Sequence, residues 1–238
     1  MYANRDALFD GEKGLPKYNS SIVKTFVDFL LKSNQNSKFD HSQTILDFGA
    51  GGGHLADIFR SKYSLEPICL EIDPKLRKVL LDKKYVTLKS LNDIGSPITM
   101  IYSSNVIEHI EDDSRALNEI CAKLKPGGKI AIYVPALKFL FSELDTKAGH
   151  YRRYSRKELI IKVENAGFNV EKCIYNDSIG VPASLFLKVF GYRNELNIGG
   201  GKSLIFYDRV VYPVSQLLDK MGLRHILGKN LYILATKK

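Results

Sequence analysis

"ILDFGAGGGHLADIF", residues 45–59, sets four glycines between a short apolar run and a stretch with helical spacing at Leu55, Ile58 and Phe59. A strand, a glycine-rich turn and a helix in this order form the first crossover of a ligand-binding α/β sheet. The glycine spacing narrows the ligand. A dinucleotide fingerprint, G-x-G-x-x-G, needs its third glycine three places after the second, and His54 stands there. The pattern is instead acid-x-Gly-x-Gly-x-Gly, on Asp47, Gly49, Gly51 and Gly53, with Ala50 between the first two glycines. A carboxylate at the end of the strand repels a phosphate but accepts hydrogen bonds from an ammonium group or an ordered water. The loop therefore asks for a ligand with a positive end and no phosphate, which argues against a nicotinamide-dependent oxidoreductase.

Working outward, further apolar runs alternate with helical patterns. Residues 67–72 ("PICLEI") read as a second strand, followed by a helix that Pro74 opens. Residues 85–88 and 98–103 give a third and a fourth strand. "DDSRALNEICAKLKPGG" carries acids early, Leu117, Ile120, Cys121 and Leu124 on one face, lysines late, and Pro-Gly-Gly as a stop. "KIAIYV" (129–134) is strand five. Ser155 with Glu158 caps the next helix, and "NVEKCIY" and "LYILATK" complete seven strands. Near-continuously apolar strands separated by helices predict a parallel sheet covered on both faces, a doubly wound α/β domain.

The whole chain fits this reading. Its 238 residues, 45% of them hydrophobic, suffice for one principal core. Cys69, Cys121 and Cys173 are odd in number and lack metal-ligand spacing, which favours a reducing compartment over a disulfide framework or zinc site. No signal-like core follows the first residues, and no run approaches the roughly 20 apolar residues that span a bilayer. A cytoplasmic protein is expected. The net charge of +9 is uneven: from residue 179 onward nine Lys/Arg face three acids.

Glu71 ends the second strand 22 residues after Gly49, close to the ~20-residue offset at which an acid meets a ribose diol. A nucleoside with a cationic, amine-bearing tail describes S-adenosylmethionine. With these residues in place the chain resembles a class I S-adenosylmethionine-dependent methyltransferase. "ILDFGAGGG" resembles that family's first motif, "CLEIDP" its acidic second-strand motif, and "IYSSNVIEHIEDDSRALNEICAKLKPGGKIAIYVP" its fourth-strand, helix and fifth-strand block. "LPKYNSSIV" and "AGHYRRYSRKEL" resemble a bacterial small-molecule subgroup, of the type 11/12 kind, found with cell-envelope sugar genes.

The resemblance implies a Rossmann-like sheet of seven strands with the last antiparallel. It implies that Gly49, Gly51 and the Asp47 side hold the methionine end of the cofactor, with Ala50 and Gly53 also in the cofactor loop, that Glu71 holds the ribose and Ile72 the adenine, and that Asn105 lies near the methionine moiety or the substrate. An acidic contact to the adenine amino group is usual in the third-strand loop; that place falls here on Ser90 or Leu91, and Leu91 is carried over.

Two groups beyond the cofactor residues stand out. Glu108 and His109 supply too few ligands for a metal and read as packing. "GHYRRY" (149–154) brings an imidazole, two guanidinium groups and two phenols into one loop, and loops over strand ends carry sites. His150 is the candidate general base for a hydroxyl acceptor, Tyr154 and Tyr18 are orienting phenols, and Arg152 and Arg153 suit a substrate carboxylate or phosphate.

The domain boundaries read as an N-terminal helical, substrate-side segment (1–43), a cofactor-binding core (44–178), a helical insertion or cap (179–230) and the final strand (231–238). "RNELNIGGGKS" (193–203) is linker-like. The apolar patterns of the insertion, the second broken near Pro213, suit a cap or a homodimer face. Basic residues flank them, so 179–220 also suits peripheral contact with an anionic membrane at its inner face. The expected function is methyl transfer, O- or N-directed, to a small molecule or a cell-envelope sugar or lipid-linked acceptor. The alternatives are an RNA methyltransferase and a non-catalytic S-adenosylmethionine-binding module. Nucleic acid is disfavoured because the turn after strand four reads Ser103-Ser104-Asn105-Val106 where base-amino enzymes carry an Asn/Asp-Pro-Pro-aromatic turn.

Overall fold

The computed structural model describes residues 15–31, 44–190 and 201–238. The flanking residues 1–14 and 32–43, and 193–200 of the linker-like stretch, lie outside the described residues.

The apolar runs become seven strands: β1 Ile45–Phe48, β2 Ile68–Leu70, β3 Thr87–Leu88, β4 Ile98–Ser104, β5 Leu124–Pro135, β6 Phe168–Asn176 and β7 Asn230–Lys237. They form one sheet in the order β3-β2-β1-β4-β5-β7-β6. The first five pair in parallel, and β7 runs antiparallel to both β5 and β6. The doubly wound sheet with an antiparallel last strand is as the sequence implies. Strand order reverses between β1 and β4, where their carboxyl ends open a crevice for a ligand.

The central strands are covered on both faces, whereas the edge strand β6 exposes Asn169, Glu171 and Lys172. Alternation along β4 and β5 sends Ile101, Ile130 and Ile132 against helices α4 (Asp113–Lys123) and α6 (Arg156–Asn165), where Leu117, Ile120, Leu159 and Val163 are buried. Met100, Tyr102, Ala131 and Tyr133 face the other layer. There Ile22, Phe26 and Leu30 of α1 (Pro16–Leu31) and Phe59 of α2 (His54–Tyr63) are buried. Helix α3 (Pro74–Asp82) starts as its sequence predicts, with proline in the first turn and the Asp73 side chain accepting from the Lys75 amide at 2.8 Å. A short α5 (Glu143–Ala148) precedes the His150 loop.

Two local readings are corrected. Pro126-Gly127-Gly128 does not separate helix from strand, because β5 already begins at Leu124. The register passes from Ile98↔Leu124 to Met100↔Lys129, so the extra residues form a bulge within the ladder. The pattern around Pro213 is likewise not broken. Helix α8 (Gly201–Phe206) continues through a π-helical turn, Tyr207–Val211, into α9 (Tyr212–Lys220). Pro213 cannot donate to the carbonyl four residues back, and the wider turn just ahead of it absorbs the missing bond.

That π-turn places Asp208 beneath the start of α1. Its carboxylate is buried and accepts from the backbone amides of Lys17 at 3.0 Å and Tyr18 at 2.8 Å. Helix α1 has no acid in its own first turn, so the distant Asp208 serves as its cap. Between β6 and β7, α7 (Gly180–Phe190) and α8–α9 form the cap elements. Among the described residues, no helix is long and apolar enough to cross a membrane.

Candidate active site

The loop after β1 turns through Gly49 (φ 80°), Gly51 (φ 55°) and Gly53 (φ 81°), left-handed conformations that glycine adopts without strain. A side chain at Gly49 would stand 2.4 Å from Val106 Cγ2 and 3.1 Å from its Cβ, so that position is also sterically closed. The loop thus lies tight on the sheet beside a cavity of about 600 Å3 at the ends of β1 and β2. Gly49, Glu71, Ile72, Val106, His109 and His150 are among its walls.

Glu71 is buried, and its two carboxylate oxygens accept from the backbone amides of Gly51 (2.8 Å) and Asp73 (2.8 Å). These bonds fix the carboxylate at the cavity wall while each oxygen keeps a second lone pair for a ligand hydroxyl. Next to it Ile72 is 69% exposed, an apolar side chain turned to the cavity where a base would cover it. An acid for a diol beside an apolar shelf fits an adenosine, and Gly49 closes the end near β1. Asp47 is buried in β1, with one oxygen accepting from Tyr102 Oη at 2.9 Å. Ala50 is buried in a small cluster with Ala56, Cys69, Leu80 and Tyr85.

Leu91 is not brought to this cavity; it follows β3 and packs against the main core. The acid of that loop is Asp93, whose carboxylate accepts from the amides of Lys89 and Ser90, both at 3.0 Å. Local capping holds it there, so the third-strand loop brings no free carboxylate to an adenine.

A second cavity, of about 490 Å3, lies under the cap. Tyr18, Asn105, Asp145, His150, Arg153 and Asn230 help to line it. Asn105 is therefore on this side, exposed and in a left-handed conformation (φ 52°), its amide held by the Tyr133 carbonyl at 2.8 Å. Tyr18 Oη meets Tyr133 Oη at 2.7 Å, and the Asn230 side-chain amide donates to both phenols. Burial pushes the Tyr18 phenol well above its ordinary value, so it keeps its proton at neutral pH.

His150 is shared by the two cavities. Gly149, left-handed at φ 84°, ends α5 and turns the chain back, so that the His150 amide reaches the Asp145 carbonyl at 2.9 Å. The His150 Nδ1 then meets Asp145 Oδ1 at 2.9 Å, and Arg153 Nε donates to the same oxygen at 2.9 Å. Burial alone would raise the Asp145 carboxyl, but these partners hold it down at about 2. The side chain of Arg153 is also bonded to the Ala136 carbonyl.

Arg152 and Tyr154 are not brought to either cavity. Tyr154 is fully buried with its hydroxyl donating to Asp113 Oδ2 at 2.8 Å. Arg152 pairs with the same carboxylate at 2.9 Å and donates to the Glu111 carbonyl. Tyr154 forms a bridge with Ala136, and in such extended backbone neighbouring residues point opposite ways. Arg153 takes the inward place while Arg152 and Tyr154 anchor the loop from behind. They act on structure, and the reading that gave them substrate contact is corrected.

Sequence reasoning missed Asp145 and the convergence of Glu108, His109 and His150. Glu108 is fully buried, and burial pushes its carboxyl up to about 8. His109 is pushed down to about 4 by burial and the neighbouring His150. The Asp145 contact had one usable signal, a Gly-His pair just after a helical turn, which returns the imidazole to that turn's acid.

The sheet order, the glycine loop and Glu71 define the class of S-adenosylmethionine-dependent methyltransferases. A family profile described as a methyltransferase domain matches residues 17–172, and the chain belongs to that family, with S-adenosylmethionine as its cofactor. A Mycolicibacterium smegmatis protein named as a probable S-adenosylmethionine-dependent methyltransferase is 27% identical over 145 residues, 58% of this chain and 54% of that protein. The chain thus spans about half the length of this curated relative. Among solved structures, an S-adenosylmethionine-dependent methyltransferase from Archaeoglobus fulgidus superposes with a TM-score of 0.57 at 16% identity, over 92% of each chain. The Haemonchus contortus phosphoethanolamine N-methyltransferase 2, in complex with S-adenosyl-L-methionine, gives 0.54 at 19% identity, over 92% of this chain and 52% of that one. At these identities both likenesses establish the fold.

Proposed function

We propose that this chain transfers a methyl group from S-adenosylmethionine to a hydroxyl of a small-molecule acceptor of sugar type, free or lipid-linked. The observation that carries the reading is the meeting of two cavities at one anchored imidazole, His150. S-adenosylmethionine, when bound, supplies a methyl group on a positively charged sulfur. Glu71 would hold its ribose hydroxyls, Ile72 its adenine, and the Gly49–Gly51 backbone, with Asp47 beneath, its methionine end. Tyr18 and Asn105 would orient the acceptor, since transfer by in-line attack depends chiefly on alignment and on excluding water. A hydroxyl is a weak nucleophile and needs activation, and the Nδ1 contact to Asp145 directs His150 Nε2 to that task.

In an assay with methyl-labelled S-adenosylmethionine and a panel of sugars and lipid extracts, His150→Ala is expected to lower turnover by about 100-fold or more, the scale of proton-transfer assistance. Cofactor affinity measured by calorimetry should change little. Wild-type turnover by His150→Ala would remove the imidazole from the reaction.

The lipid-linked form of the acceptor is supported by the outer faces of the cap. Val189 on α7 and Phe206, Val210 and Val214 along α8–α9 are exposed, with Lys188 and Arg209 beside them. Apolar side chains flanked by cations suit an anionic bilayer surface. Co-sedimentation with vesicles containing anionic lipid should be strong at low salt and fall as salt rises. Absence of binding at low salt would leave only a soluble acceptor.

A further inference from the structure

The geometry points to a divalent-cation site in the partition between the two cavities, held by Glu108, His109 and His150. Glu108 lies in the tight turn after β4, fully buried, and neither of its carboxylate oxygens has a hydrogen-bond partner in the protein. A polar group in that condition is costly and calls for a partner of its own. His150 Nε2 stands 3.9 Å from Glu108 Oε1, and the His109 and His150 rings meet edge to face with centroids 4.6 Å apart. One ligand atom from each of the three side chains lies within 4.8 Å of the others. Donors on a first-row cation at 2.0–2.2 Å stand roughly 3.4 Å apart, so side-chain shifts of about an ångström close the site.

The surroundings are those of metal-ligating histidines. Such an imidazole keeps its second nitrogen on a carboxylate or a backbone carbonyl, which fixes the ring and its tautomer. His150 Nδ1 is held by Asp145 Oδ1 at 2.9 Å, and His109 Nδ1 by the Gly149 carbonyl at 3.2 Å. Two imidazoles and one carboxylate suit zinc, cobalt or ferrous ions and leave coordination positions open. His150 borders both cavities, so those positions adjoin the acceptor; with His150 Nε2 taken up as a ligand, the ion would replace the free imidazole as the group that orients and polarises the hydroxyl. This role rests on the methyl-transfer reading; the binding of the ion does not.

The test is to load the purified chain with Co2+, remove unbound metal by gel filtration, and measure retained metal and the visible spectrum. About one equivalent with nitrogen-ligated cobalt bands is expected. Glu108→Gln and His109→Ala should each lower retention at least tenfold, since even the loss of an outer contact weakens such sites 10- to 100-fold. His225→Ala, an exposed histidine outside both cavities, should retain the ion. Thermal unfolding of the unloaded variants checks that they are folded, and Glu108→Gln keeps the shape of the side chain. Failure of the wild-type chain to retain cobalt, or equal retention by Glu108→Gln and His109→Ala, would overturn the site. Calorimetry with S-adenosylmethionine separates the two readings: cofactor binding without cobalt removes only the metal, and cobalt without cofactor binding removes only the methyl transfer.

Discussion

Glu71→Ala is expected to weaken S-adenosylmethionine binding by about 100-fold or more in a calorimetric titration. The carboxylate performs two tasks at once. In the proposed reading it would hold the ribose hydroxyls, and hydrogen bonds to a charged group contribute roughly 1.5–3 kcal/mol. It also holds the glycine loop, because its oxygens accept from the amides of Gly51 and Asp73. Removing it leaves two buried donors unpaired, at roughly 1–3 kcal/mol each. A loss of about 2.7 kcal/mol already corresponds to 100-fold in affinity. Glu71→Gln keeps an acceptor for one amide and sets an NH2 group against the other, so its loss should be smaller. If Glu71→Ala bound the cofactor as wild type does, the ribose contact would have to be sought elsewhere.

The second large effect is on folding. Asp113 is 2% exposed and holds Lys162 Nζ at 2.7 Å, Arg152 at 2.9 Å and the Tyr154 hydroxyl at 2.8 Å. Asp113→Ala strands the buried Tyr154 hydroxyl and takes the carboxylate from Lys162 and Arg152, which keep Ser114 Oγ and the Glu111 carbonyl, and breaking a buried pair costs roughly 3–5 kcal/mol. For a chain of this size that lowers the melting temperature by about 10 °C. Burial alone would raise the Asp113 carboxyl, but Lys162, Arg152 and Tyr154 bring it below its ordinary value. A group whose folded value is depressed contributes its stability above the ordinary carboxylate range and loses it as the pH falls through the folded value. The gap in melting temperature between wild type and Asp113→Ala should therefore be full at neutral pH and narrow in acid. A gap that stayed constant into acid would show that the carboxylate's charge is not what holds the three partners.

The sheet was legible because burial on both faces marks its central strands, and the glycine loop because glycine and acid spacing is set by local geometry. Glu71 and Ile72 reach the cavity as their positions imply, since the end of β2 fixes where both point. The GHYRRY stretch was legible as a site loop but not atom by atom. Whether Arg152 or Arg153 faces inward depends on the pairing of Tyr154 with Ala136, a tertiary contact that leaves no periodic trace. Glu108 and His109 offered two ligands where a metal needs three, and the third lies 41 residues beyond His109. Leu91 failed for a related reason: the loop after β3 is capped by its own Asp93, which a motif-level correspondence does not show.

Asp208 gives the molecule an order of completion. Helix α1 is made before Asp208, yet the amides of its first turn, including that of Tyr18, wait for a carboxylate 190 positions later. The cavity that Tyr18 helps to line can close only after the segment carrying Asp208 has been made. The same bond makes these two distant segments one heritable unit: a chimera that exchanged residues 179–230 with those of a relative would have to exchange residues 15–31 with them, or leave Tyr18 without its support.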